Sequence, residues 1–158
     1  MLGLTGGKST YTGNKSWIMQ KFFPILETSG YSVTSPATME YNCIAWAAED
    51  SKTWWWPDPF NQYYWPSGIL REDTIDAFVK AFELFHYTIC SDANYEIGYE
   101  KISIYAKRDG RPTHAARQIS FEKWTSKIGK LEDIEHDINA LSGDIYGEPV
   151  VFMKRPRK

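Results

Sequence analysis

Apolar positions recur with a helical period in three stretches. Trp17, Ile18, Phe22 and Leu26 share a face of 15–28, where Pro24 must kink or break the helix. Residues 41–49, reading YNCIAWAAE, form a short and almost wholly apolar helix. The clearest periodicity runs over 72–85, where Ile75, Phe78, Val79, Phe82 and Phe85 line one side and Asp73 and Thr74 suit the first turn. The period then changes to two. Residues 100–107, EKISIYAK, alternate Ile102, Ile104 and Ala106 with polar neighbours and read as a strand. Asp109-Gly110 supplies a hairpin turn, and 113–119 and 123–128 continue an antiparallel meander. Residues 87–90 and 150–153 are short candidate strands, 29–40 reads as turn and loop, and 131–141 as a short helix stopped by Gly143. Helices first, then a meander, then a helix is an α+β layout.

The chain has 158 residues, about one domain's worth, and no linker or repeat divides it. We therefore expect a single domain over 1–158, with a loose Gly/Ser/Thr-rich start at 1–15. Aromatics make up 16% and charged residues 24%, which excludes global disorder. With a mean hydropathy of −0.47 and no apolar run of spanning length, no membrane association is expected. The first ten residues hold no apolar leader, which gives the expectation of a cytoplasmic protein. A net charge of −2 argues against nucleic acid as a partner. Lys154, Arg155, Arg157 and Lys158 concentrate positive charge in the last five residues, and 154–158 reads as a solvated basic tail. Two cysteines, Cys43 and Cys90, read as free thiols.

Candidate chemistry is sparse. Gly6-Gly7-Lys8-Ser9 lacks the upstream glycine and strand of a phosphate loop. His86, His114 and His136 are scattered and neither cysteine sits in a CxxC pair, so no metal or other cofactor is implied. Residues 133–136 and 136–139, DIEH and HDIN, read as a solvated helix face. Residues 54–65, WWWPDPFNQYYW, hold seven aromatics in twelve positions. They form either a lid completing the core or a stacking wall beside a cleft, with Trp54, Trp55, Trp56, Tyr63, Tyr64 and Trp65 as candidate substrate contacts. The most pointed feature is Cys43 at a helix start, where backbone N–H groups and the macrodipole favour thiolate. His114, on a strand, is a candidate base for it. Asn42 can cap the helix or donate to an oxyanion. The competing reading is that Cys43 only fills space.

Two segments together resemble the NlpC-type papain-like cysteine peptidases, a superfamily that includes amidases and acyltransferases. Residues 41–47, YNCIAWA, are similar to its nucleophile segment. Residues 100–105 and 113–115, EKISIY and THA, flank a turn as its hairpin strands do. The chain also resembles an uncharacterised bacterial family with YNCIAWA, THAARQ and Trp-x-Ser-Lys-x-Gly segments. The resemblance implies a papain-like α+β fold with N-terminal helices packed on the meander. It puts Cys43 on the nucleophile, His114 on the third, orienting position, and Lys101 on the general-base position. Lysine is a poor base there unless burial lowers its pKa. Either His114 has taken over as base, or the register is shifted, or the domain has lost catalysis. The leading expectation is a cysteine hydrolase or transferase acting on an amide or ester of a peptide-like or acyl substrate. Ser126 and His136 are then candidates for orienting His114. The alternative is an inactive papain-like module that binds a ligand or a protein partner, for instance as a bacterial effector.

Overall fold

The computed structural model describes residues 17–158. The loose start expected at 1–15 and the Gly-Gly-Lys-Ser segment lie outside them. Among the described residues, four α-helices, α1 (Trp17–Phe22), α2 (Ile25–Ser29), α3 (Cys43–Ala47) and α4 (Ile75–Glu83), accompany seven strands: β1 (Ser32–Ser35), β2 (Thr88–Cys90), β3 (Tyr99–Ala106), β4 (Pro112–Ser120), β5 (Lys123–Lys127), β6 (Asp133–His136) and β7 (Glu148–Pro156). The strands make one antiparallel sheet in the order β1-β6-β5-β4-β3-β7-β2. The architecture is thus α+β. Its centre is the expected meander, β3 to β5, which continues into β6.

Local chemistry accounts for the elements. Thr74 caps α4, its hydroxyl accepting from the Ala77 N–H. Asp76 and Lys80 pair one turn apart at 3.0 Å. Pro24 separates α1 from α2, as its ring requires. The β3–β4 turn places Gly110 at φ 85°, with the Asp109 carboxylate accepting from the Arg111 N–H.

Both faces of the sheet are covered. On one face α3, α4 and the aromatic loop pack on Ile102, Ile104, Ala115 and Met153. On the other, Met19 of α1, Leu26 of α2 and Phe23 between them pack with Tyr105, Ala116, Trp124, Ile134 and Leu141. The N-terminal helices are therefore split between the two sides of the sheet.

This double cover corrects three expectations. Residues 131–141 are not a helix: they form β6 and a 3₁₀ turn, Ile138–Leu141. Buried on both sides, β6 lacks the two-residue alternation that marks a strand with one wet face. Residues 29–40 contain β1, an edge strand too short to show a period. The basic end is not a solvated tail, because β7 runs through Lys154 and Arg155 to Pro156. Arg155 is only 6% exposed. No described helix is long and apolar enough to cross a membrane.

Candidate functional site

Cys43 is the first residue of α3, which packs on β4 and β5. Asn42 is its N-cap: the side-chain Oδ1 accepts from the N–H groups of Ala45 (3.2 Å) and Trp55 (3.1 Å), while Nδ2 donates to the Trp55 carbonyl (2.6 Å). Of the two roles open from sequence, capping is the one observed. The amide also clamps the aromatic loop to the helix that carries the thiol. Asn42→Ala removes the cap, at about 1 kcal/mol, and strands two backbone groups of Trp55, at about 1 kcal/mol or more between them. We expect a loss of about 2–3 kcal/mol in urea denaturation, whereas a change within experimental scatter would contradict this clamp.

The Cys43 thiol is buried, and burial pushes its pKa up to about 11. Backbone N–H groups of Ala115, Ile44 and Cys43 itself oppose that shift, as does the charge of Lys127. Lys127 is fully buried on β5. Its Nζ donates to the carbonyls of Thr38 (2.7 Å) and Gly129 (2.5 Å) and lies 5.2 Å from the centre of the Tyr41 ring. Its register partner on β6, Asp133, accepts from the hydroxyls of Ser35 and Tyr41, the latter at 2.7 Å. Burial pushes Lys127 down and Asp133 up, so both charged forms carry a desolvation penalty beside the thiol.

His114 precedes Ala115 on β4. Alternation sends its ring to the face shared by its register partner Tyr105, away from α3. There it joins a buried chain. His114 Nε2 and Ser126 Oγ are 2.9 Å apart, Ser126 Oγ and His136 Nε2 are 2.7 Å apart, and His136 Nδ1 lies 2.7 Å from the Asp137 carbonyl. Hydrogen-bond logic assigns the protons. A carbonyl only accepts, so His136 Nδ1 carries hydrogen. Burial holds His136 near pKa 4, below its ordinary 6.5, so Nε2 is bare near neutral pH and accepts from the Ser126 hydroxyl. Ser126 Oγ then accepts from His114 Nε2–H. His114, pushed well below 6.5 by burial and by His136, is left with Nδ1 as a bare, buried nitrogen without a partner. Tyr146 stacks on the His114 ring (centroids 4.1 Å apart, planes 12° apart), and its hydroxyl is within electrostatic reach of Cys43.

His136 was expected on a solvated helix face with Asp133; both are buried strand residues. The consequence is acid lability. Between pH 6.5 and 4 the unfolded histidine binds a proton that the folded one refuses, so stability falls as pH drops through that window. For His136 alone the loss is on the order of 3 kcal/mol, and His114 acts in the same direction. Denaturant titrations at pH 7, 5.5 and 4 check it; a flat profile would contradict a buried neutral pair.

Lys101 does not join this group. It is buried on β3, and its Nζ donates to the Asp92 carbonyl at 3.0 Å and pairs with the carboxylates of Asp92 (3.1 Å) and Glu96 (3.3 Å). It lies four residues along β3 from Tyr105, the partner of His114, or about 13 Å at the strand rise. The aromatic tract divides. Trp55 and Trp65 are core residues, and the half-buried Trp56 sets its ring edge-on to Phe78. Tyr63 and Tyr64 are exposed, and Trp54 meets Tyr63 at 6.3 Å. Sequence reasoning missed Tyr41, Lys127, Asp133 and Tyr146. Lys127 alternates with Trp124 and Ser126, so its polarity read as an outward face when that face is covered by α3.

The fold and site define an α+β domain in which a helix-capping segment presents a buried thiol to a central strand, with a buried His–Ser–His chain behind it. Within that class the chain belongs to a family described as a domain of unknown function, DUF7689, whose model matches residues 32–154. The match spans β1 to β7 and includes every residue of the site. No curated protein matches the chain, and no solved structure matches it.

Proposed function

We propose that the domain is a papain-like cysteine hydrolase or transferase of the NlpC type, acting on an amide or ester of a peptide-like or acyl substrate. The observation that carries the reading is the proton assignment along His114, Ser126 and His136. A buried chain that leaves one imidazole nitrogen bare and unpartnered, on the strand whose next N–H faces a thiol, is an arrangement with a chemical use and a folding cost.

In this mechanism His114 Nδ1 takes the Cys43 proton as the sulfur attacks the carbonyl carbon. The N–H groups of Ala115 and Cys43 that face the sulfur receive the developing oxyanion. The carbonyl bond to the leaving group breaks, His114 returns the proton to that group, and an acyl-thioester remains on Cys43. Water or an acceptor nucleophile then releases the acyl group. Ser126 and His136 fix the tautomer and plane of the His114 ring. The high thiol pKa and low imidazole pKa make the resting pair neutral, so the proton moves during attack. For the two groups to meet, the His114 ring, which stacks on Tyr146 on the face of β4 turned away from α3, must turn to the α3 side. Tyr63, Tyr64 and Trp54 supply outward rings for the leaving-group side.

A second reading, a binding domain without turnover, is favoured by Lys101. The position expected for a general base is taken up by two carboxylates. Incubation with p-nitrophenyl acetate separates the two. The enzyme reading predicts an acetyl group on Cys43, seen by intact mass and peptide mapping, that disappears on standing. Protein that is unlabelled after hours would favour the binding domain.

A further inference from the structure

The geometry points to a second site, for an organic ammonium ion on an aromatic or aliphatic stem, at the far end of the β4–β5 hairpin from His114. A surface cleft of about 540 Å³ opens there. Its walls are Tyr95, Phe121 and Trp124, and its acidic groups are Glu122 and Asp137. Among the described residues, no lysine, arginine or histidine lines it.

Three features indicate a ligand rather than a simple surface dent. Phe121 stands 68% exposed on the hairpin turn, an unusual place for a large ring with no packing role. Its neighbour Glu122 holds a positive φ of 58° without being glycine, which keeps the turn, and thus both side chains, at the cleft mouth. Gln118 is 2% exposed; its Nε2 donates to the Ala93 carbonyl at 2.9 Å, while its Oε1 is buried without a partner. A buried amide oxygen left unpaired beside a cavity is an acceptor awaiting a donor. Aromatic faces attract cations, and two acidic groups on the rim favour a positive guest over a neutral or negative one. An N–H-bearing ammonium head with an apolar stem answers each of these features.

The site lies four residues along β4 from His114 and meets the proposed catalytic chain only at Asp137, whose carbonyl accepts from His136; neither Cys43 nor His114 lines it, so it stands independently of the proposed activity. The probe is 2-phenylethylammonium, titrated into the ¹⁵N-labelled chain and followed through the amides of Ala93, Asn94, Tyr95, Phe121 and Glu122. The inference predicts saturable shifts at these amides, binding at least tenfold weaker for 2-phenylethanol, and none for 3-phenylpropionate. Phe121→Ser and Glu122→Gln alter exposed positions that the fold does not need, and each is expected to weaken the ammonium at least fivefold. Cys43→Ala leaves binding unchanged. The peptide Phe-Gly-Gly, with a free and with an acetylated N-terminus, distinguishes a peptide-borne ammonium from a small free amine. Equal binding of alcohol and ammonium, shifts scattered away from the cleft, or indifference to both substitutions would overturn the inference.

Discussion

Replacing Arg155 by methionine is expected to destabilise the protein by about 3–5 kcal/mol, the range for breaking a buried ion pair from one side. The guanidinium sits in β7 and reaches three elements. Its Nε donates to Glu100 at 2.5 Å, Nη2 to Glu49 at 2.6 Å, and Nη1 to the Phe85 carbonyl beyond the end of α4 at 2.8 Å, with the plane 4.4 Å from the Tyr87 ring. Methionine keeps most of the apolar stem but leaves Glu100, whose side chain is 13% exposed, with only the longer contact to Arg157 at 3.9 Å. Glu49 is 43% exposed and contributes little, since water screens it. With a urea m-value of about 2 kcal/mol/M for a chain of this size, the midpoint should fall by about 2 M. Lys158→Ala, at a position 78% exposed, should move it negligibly. A midpoint shift for Arg155→Met as small as that of Lys158→Ala would contradict this account of the basic end.

That basic end illustrates what sequence pattern can and cannot reveal. The helix at 75–83 was legible because one face is wet and the other dry, so its apolar stripe has a period. The β3–β4–β5 meander was legible from the alternation in 100–107 and the Asp-Gly turn. β6 and the basic end of β7 beyond the candidate strand at 150–153 were not, because the sheet is covered on both faces and polar residues there are held by partners rather than by water. Asp133, His136, Lys127 and Arg155 all look like surface residues by type. Each is inside because another side chain or a carbonyl, distant in sequence, meets it. At the site, the sequence singled out Cys43, His114, Ser126 and His136 one by one. Three of them turn out to be linked by hydrogen bonds, through a register that only the folded sheet sets. Lys101 drew attention by its place in a resemblance, and its pairing with Asp92 and Glu96 depends on the loop between β2 and β3, whose course has no sequence signal.

The second large effect concerns the chemistry. If His114 Nδ1 is the base for Cys43, His114→Ala should slow acylation by about 10²–10⁴-fold at neutral pH, the usual contribution of a positioned general base. Ser126→Ala should act more gently, since it frees the ring without removing the base. Cys43 itself should still react with small alkylating agents in His114→Ala at high pH, where the thiolate forms without help.

The decisive measurement is the pH profile of Cys43 acetylation by p-nitrophenyl acetate, read by intact mass, for the native chain and His114→Ala in a Cys90→Ser background. A neutral thiol and a neutral imidazole acting together give a plateau. Its acid limb lies below pH 6.5, where His114 becomes protonated, and it extends toward about pH 11, where the thiol ionises on its own. The account predicts that plateau in the native chain and its loss in His114→Ala, leaving a rate that climbs steadily toward pH 11. Identical profiles for the two proteins, both climbing with the thiolate fraction, would mean that His114 does not serve Cys43. The thiol would then be a packing residue, and the domain a binding module.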